Sequence, residues 1–99
     1  MVKHIVLFKL KKEIAESHRL EAMNKFKEAI EALPSVMDFI RKVEVGFNCN
    51  DSEVYDIALY SEFDSLEDVK KYAVHPQHVA AGKLLADVKE SRSCVDYEF

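Results

Sequence analysis

Seven consecutive residues, Tyr72-Ala73-Val74-His75-Pro76-Gln77-His78, hold two of the four histidines, one tyrosine and one of the two prolines. A phenol donates one strong hydrogen bond and an imidazole exchanges its proton near neutral pH, so Tyr72 and His78 are the parts of an acid–base pair. Pro76 fixes its own φ and lacks an N–H, which suits the first position of a helix. It also pushes His75 out of the right-handed helical region. One helix is therefore expected to end by His75 and another to begin at Pro76. Tyr72 then falls in the last turn of the first helix. His78 falls in the first turn of the second, where the positive end of the helix dipole disfavours imidazolium and keeps a neutral base. A plainer use stands beside this one. His75 serves as an N-cap and turn residue, Tyr72 as a buried phenol bonded to His78, and His78 as a partner for helix-end backbone groups.

The bulk properties limit what such a pair can serve. Ninety-nine residues make one domain, 1–99, with room for one modest core. A net charge of −4 leaves no basic surplus for nucleic acid or an anionic membrane. The longest apolar run, Ile5 to Phe8, is far short of a membrane span, and the first residues have no secretory character. Cys49 and Cys94 do not form a CxxC pair and suggest no disulfide framework. Two reduced thiols in a cytoplasmic protein are the expectation.

The elements that must position the pair follow from periodicity. Val2 to Leu10 alternates, with Val2, His4, Val6, Phe8 and Leu10 on one face and Lys3, Ile5, Leu7 and Lys9 on the other. Both faces have an apolar middle, as in a strand covered on both sides. Leu20, Met23, Phe26, Ile30 and Leu33 form one helical stripe, beginning near 15–17 and stopped at Leu33 by Pro34. Met37 to Phe47 reads as a half-exposed strand, and Val54 to Phe63 as another, after a turn-rich loop at Asn48 to Ser52. Ser65, with Asp68 three residues on, caps the helix that leads to Tyr72. Val79, Leu84, Leu85 and Val88 continue the second helix, weakened at Gly82, and Ser91 to Phe99 alternates as a last strand.

The order β-α-β-β-α-β is that of an α+β, ferredoxin-like fold: a four-stranded antiparallel sheet with helices on one face. Helices cover only one face, so the apolar residues of the other need a second cover. Ile5, Leu7, Ile57, Leu59, Tyr55 and Phe63 are expected on that surplus face. At ~25 cal/mol per Å², burying several hundred square ångströms contributes on the order of 10 kcal/mol before association costs. A homodimer closed sheet to sheet is the expected solution.

Three stretches of the chain, Lys3-His4-Ile5-Val6-Leu7-Phe8-Lys9-Leu10, Tyr72 to Val79 and Val95-Asp96-Tyr97-Glu98, resemble the stress-responsive dimeric α/β-barrel (Dabb) family, in register over essentially the whole chain. The resemblance implies a homodimer whose two sheets make a barrel with helices outside. Most members have no established reaction, but one plant member is a cofactor-free polyketide cyclase that works by aldol chemistry. Its implied catalytic pocket, between sheet and helices, contains the counterparts of Tyr72, His78 and His4.

An aldol needs a base for a C–H flanked by carbonyls and a donor for the oxygen that gains charge. His78 is the expected base and Tyr72 the expected donor. His4, Val6, Phe8, Phe26 and Asp56 are the expected substrate-binding residues, since His4, Val6 and Phe8 share a strand face. Asp56 stands where the plant cyclase has a pocket histidine, and it is expected near His4 as an ion-pair partner. Ala22, Ala81 and Lys89 occupy bulky pocket positions of that enzyme, so the ligand need not be a polyketide. No cofactor is expected, and no metal, because His4, Asp56 and His78 match no recognised ligand spacing. The functional expectation is a homodimer that binds a small carbonyl-type molecule, with cofactor-free acid–base, cyclase- or lyase-like, activity. The rivals are a non-catalytic stress-response or interaction protein and, more weakly, a cofactor-free monooxygenase.

Overall fold

A computed structural model describes all residues, 1–99. The chain forms β1 (Val2–Leu10), α1 (Glu16–Glu31), a 3₁₀ turn (Leu33–Ser35), β2 (Lys42–Phe47), β3 (Ile57–Phe63), α2 (Leu66–Val74), α3 (Pro76–Lys83) and β4 (Lys89–Glu98). The sheet has the order β2-β3-β1-β4 with every neighbouring pair antiparallel. The helices lie on one face, which gives the ferredoxin-like architecture expected from the element order. No helix is long and apolar enough to cross a membrane.

The alternation of β1 becomes its burial. Val2, His4, Val6, Phe8 and Leu10 are buried beneath the helices, and the opposite parity is half-buried. Across the sheet, Val6 faces Leu59, Phe8 faces Ile57 and Val2 faces Phe63. Residues opposite one another share a face, so Ile57, Leu59 and Phe63 lie under the helices with the buried Ser61. This corrects the expectation that they line the outer face. Period-two alternation fixes which residues go together and not which way they point; pairing with β1 decides that. The outer face instead carries Ile5, Leu7, Ala58, Tyr60, Val95 and Tyr97, with Tyr55 reaching Ser93 through a 2.9 Å hydroxyl–hydroxyl contact.

Helix α1 buries Met23, Phe26 and Ile30, whereas Leu20, at the start of the stripe, is exposed. The helix stops at Glu31, two residues before Leu33, because the Pro34 ring cannot sit over the carbonyl four residues back. The chain then takes a 3₁₀ turn that keeps Leu33 buried. Met37 and Ile40 are buried without being strand; β2 begins only at Lys42.

Candidate functional site

The break between α2 and α3 falls where Pro76 requires it. His75 is extended (φ −63°, ψ 133°), and it is at once the C-cap of α2 and the N-cap of α3, its Nδ1 accepting the Gln77 N–H at 3.1 Å. Ser65 caps the other end of α2 by accepting the Asp68 N–H. His78 is the third residue of α3 and turns back toward α2, its Nδ1 lying 3.0 Å from the Ala73 carbonyl oxygen. A carbonyl can only accept, so Nδ1 carries the proton and, in the neutral ring, Nε2 keeps a free lone pair. The His78 pKa is lowered, first by burial, against an upward pull from the Ala73 carbonyl, and then by the His4, Arg92 and His75 charges. The neutral ring is therefore the form present at pH 7.

Tyr72 is fully buried, with its ring 4.3 Å from that of His78 and 5.9 Å from that of His4. The expected hydrogen bond to His78 is not formed. The two rings pack at a 50° tilt, and the phenolic O–H finds no partner in the protein. A buried donor without a partner is costly, at about 1–3 kcal/mol. Burial also pushes the phenol's pKa well above its ordinary value, so the group is a proton-bearing donor and never a phenolate at neutral pH.

His4, buried on β1, is held from β4. Its Nδ1 is bonded to Asp96, with the Cys94 sulfur 3.7 Å from the same nitrogen. The β1–β4 register sets His4 directly opposite Asp96. An ionised carboxylate only accepts, so His4, like His78, donates a proton from Nδ1 to its partner. Asp96 was not among the residues expected at the site. The missed signal was that antiparallel pairing of the first and last strands puts its parity on the His4 face. His4 Nδ1, Cys94 Sγ and an Asp96 oxygen all lie within 4.8 Å of one another, a donor set suited to a metal ion. Holding a proton for Asp96 and giving a lone pair to a metal are exclusive uses of that nitrogen.

Asp56 is not at this site. It precedes β3, where its carboxylate accepts the Leu10 N–H at 2.7 Å and pairs with Lys12 Nζ at 3.0 Å, tying off the end of β1. The ion pair expected between His4 and Asp56 is thus made by Asp96, because Asp56 is spent on a backbone donor and a lysine beyond the end of the strand pairing.

Between β1, α1 and α3 lies a cavity of about 280 Å³. His4, Val6, Phe8, Phe26 and His78, all foreseen, line it together with Leu59, Val79, Gly82, Lys83, Ala86, Lys89 and Arg92. Two of the lining rings, Phe8 and Phe26, meet edge to face at 5.4 Å. Tyr72 does not line the cavity; it backs the two imidazoles that do. The arrangement offers an unprotonated nitrogen on His78 and a second imidazole on His4 beside a hollow with an apolar floor, with an unpartnered hydroxyl behind both rings. Replacing Asp96 by Asn lets the amide donate to His4 and move the ring proton to Nε2. We expect nitrogen NMR of Asp96→Asn to show His4 changing tautomer while His78 keeps its own.

The profile of the family described as Stress responsive A/B Barrel Domain matches residues 2–99. A dimeric protein of unknown function and ferredoxin-like fold from Bacteroides fragilis is 65% identical and superposes with a TM-score of 0.97, over 99% of this chain and 95% of that one. Olivetolic acid cyclase from Cannabis sativa is 28% identical over 96 residues, 97% of this chain and 94% of the cyclase. A hydroxynitrile lyase from Passiflora edulis, 16% identical, shares the fold with a TM-score of 0.72 over 97% of this chain and 90% of the lyase.

Proposed function

The chain belongs to the Stress responsive A/B Barrel Domain family, and within it we propose a homodimer that binds a small carbonyl compound between sheet and helices and moves a proton on it without a cofactor. His78 Nε2 takes the proton from the carbon beside the carbonyl; the C–H pair becomes the enolate and His78 becomes imidazolium. The enolate oxygen accepts the Tyr72 O–H once a bound ligand parts the layer of the two imidazoles that stands between the phenol and the cavity. His4, oriented by Asp96, holds the ligand or passes the proton on. Return of the proton, or attack of the enolate carbon on a second carbonyl, completes an isomerase-, lyase- or cyclase-like cycle. One observation carries this reading: an unpartnered, fully buried phenol lies against two imidazoles whose Nδ1 atoms are both engaged. The resemblance to a cyclase over nearly the whole chain supports the reaction class.

The test is deuterium incorporation into benzylacetone in D₂O, followed by proton NMR. We expect catalysis by the native protein and none by Gly82→Leu. A Cβ added at Gly82 meets nothing within 4 Å, so the longer side chain enters open space beside the cavity, and leucine favours the helix over glycine. Retained stability with lost exchange is the expected pair of results; full exchange in the occluded variant would contradict the proposal.

For the dimer, the support is the outer sheet face, where Val95 is 52% and Tyr97 43% exposed beside half-buried Ile5 and Leu7. The 65%-identical Bacteroides fragilis protein is described as dimeric. We expect sedimentation to give a dimer for the native chain and a monomer for Leu7→Glu, which buries a charge in the contact.

A second reading, a non-catalytic interaction protein, draws on one observation. His78 closes the last turn of α2 through Ala73, and His75 caps α3, so both imidazoles of the corner already have structural uses. The two substitutions argued below separate the readings.

A further inference from the structure

We infer that the ligand of this cavity is an anion: a small carbonyl compound bearing a carboxylate, with the carboxylate at a rim made by Lys83, Lys89 and Arg92. The inference rests on the binding reading above and adds the substrate class. The twelve lining residues include these three permanent cations and no aspartate or glutamate, in a chain whose net charge is −4. The protein's ion pairs engage His4, Lys9, Lys12, Lys25, Lys27, Arg41 and Lys71. Lys3 and Lys42 lie over aromatic rings, and Arg19 donates to three backbone carbonyls. None of the three rim cations has a carboxylate partner, and all three border one hollow. Like charges gathered this way repel, and an anion between them relieves the repulsion.

The rest of the lining sets the body of the ligand. Val6, Phe8, Phe26 and Leu59 give an apolar floor, and about 280 Å³ lies at the small end of ligand pockets. A compact acid with one apolar group fits; a long chain does not. The planar fork of Arg92 matches a carboxylate with two parallel hydrogen bonds. Phosphate is favoured less. No residue has positive φ, so the backbone has no nest of the kind that cradles phosphate, and the N-terminal turn of α3 is closed by His75.

The test is calorimetric titration with benzylpyruvate, its neutral counterpart benzylacetone, and inorganic phosphate, on the native protein and on Arg92→Glu, Lys89→Glu and His78→Ala. We expect benzylpyruvate to bind at least tenfold more tightly than benzylacetone at low salt, with the advantage shrinking as salt rises. Each charge reversal should erase the advantage by weakening benzylpyruvate at least tenfold more than benzylacetone, and His78→Ala should keep it. Equal binding of acid and ketone, no binding of either, or displacement of benzylpyruvate by equimolar phosphate would overturn the inference. Charge preference without His78-dependent exchange leaves the rim intact and removes the base. His78-dependent exchange of benzylacetone without charge preference removes only the rim.

Discussion

His78→Ala is expected to lower the rate of deuterium incorporation into benzylacetone by about 10²–10⁴-fold, the usual contribution of a positioned base. The alanine also deletes the donor to the Ala73 carbonyl, so stability falls for a reason unrelated to catalysis. His78→Asn separates the two effects. Its amide can still donate to Ala73 but has no basic nitrogen, so the exchange rate should fall as far while the melting temperature stays near the native value. If His78→Asn keeps the native exchange rate, the imidazole is a cap and the interaction-protein reading stands.

The pH dependence has a definite sign. Burial is the largest cause lowering the His78 pKa below its ordinary 6.5. The neutral ring is the base, so exchange should rise with pH through a value below 6.5 and be flat at neutrality. The same shift acts on folding. As pH falls below 6.5 the unfolded chain takes up the proton before the native one, so native stability drops as pH approaches the lowered value. Above 6.5 the group contributes nothing to this dependence. His78→Asn should remove that part of the acid sensitivity, measurable as a shallower fall of melting temperature with decreasing pH.

Tyr72→Phe is the second large effect, and its two readouts should move apart. The substitution removes a hydroxyl that is fully buried and has no partner, which relieves a cost of about 1–3 kcal/mol. The melting temperature should hold or rise, by ~4–8 °C for each kcal/mol in a domain of this length. Exchange should fall by about 10²–10³-fold, as when one donor to a developing oxyanion is deleted. A phenol that served only structure would give the reverse: lower stability and an unchanged rate per folded molecule.

Much of this geometry was legible in the sequence because local chemistry sets it. Pro76 forces the helix break, His75 can only cap, and Ser65 with Asp68 begins α2. The bounds of β1 follow from one uninterrupted alternation. What was not legible depends on partners distant in sequence. The facing of Ile57, Leu59 and Phe63 waits on the register with β1. The His4–Asp96 pair joins residues 92 positions apart, and the family resemblance had pointed to Asp56, which instead ties off β1. Lys83 and Arg92 carry no motif in the sequence that singles them out. Only the approach of α3 to β4 around one hollow gives them a common role.

The account turns on two histidines that keep Nδ1 occupied and offer Nε2 to the cavity. Nitrogen-15 correlation spectra of the imidazole side chains at neutral pH, before and after saturation with benzylacetone, test this most directly. We predict the Nδ1–H tautomer at both His4 and His78, with the ligand moving both Nε2 resonances and leaving His18 and His75 in place. An Nε2–H tautomer at His78, or Nε2 resonances that ignore a ligand shown to bind, would contradict it.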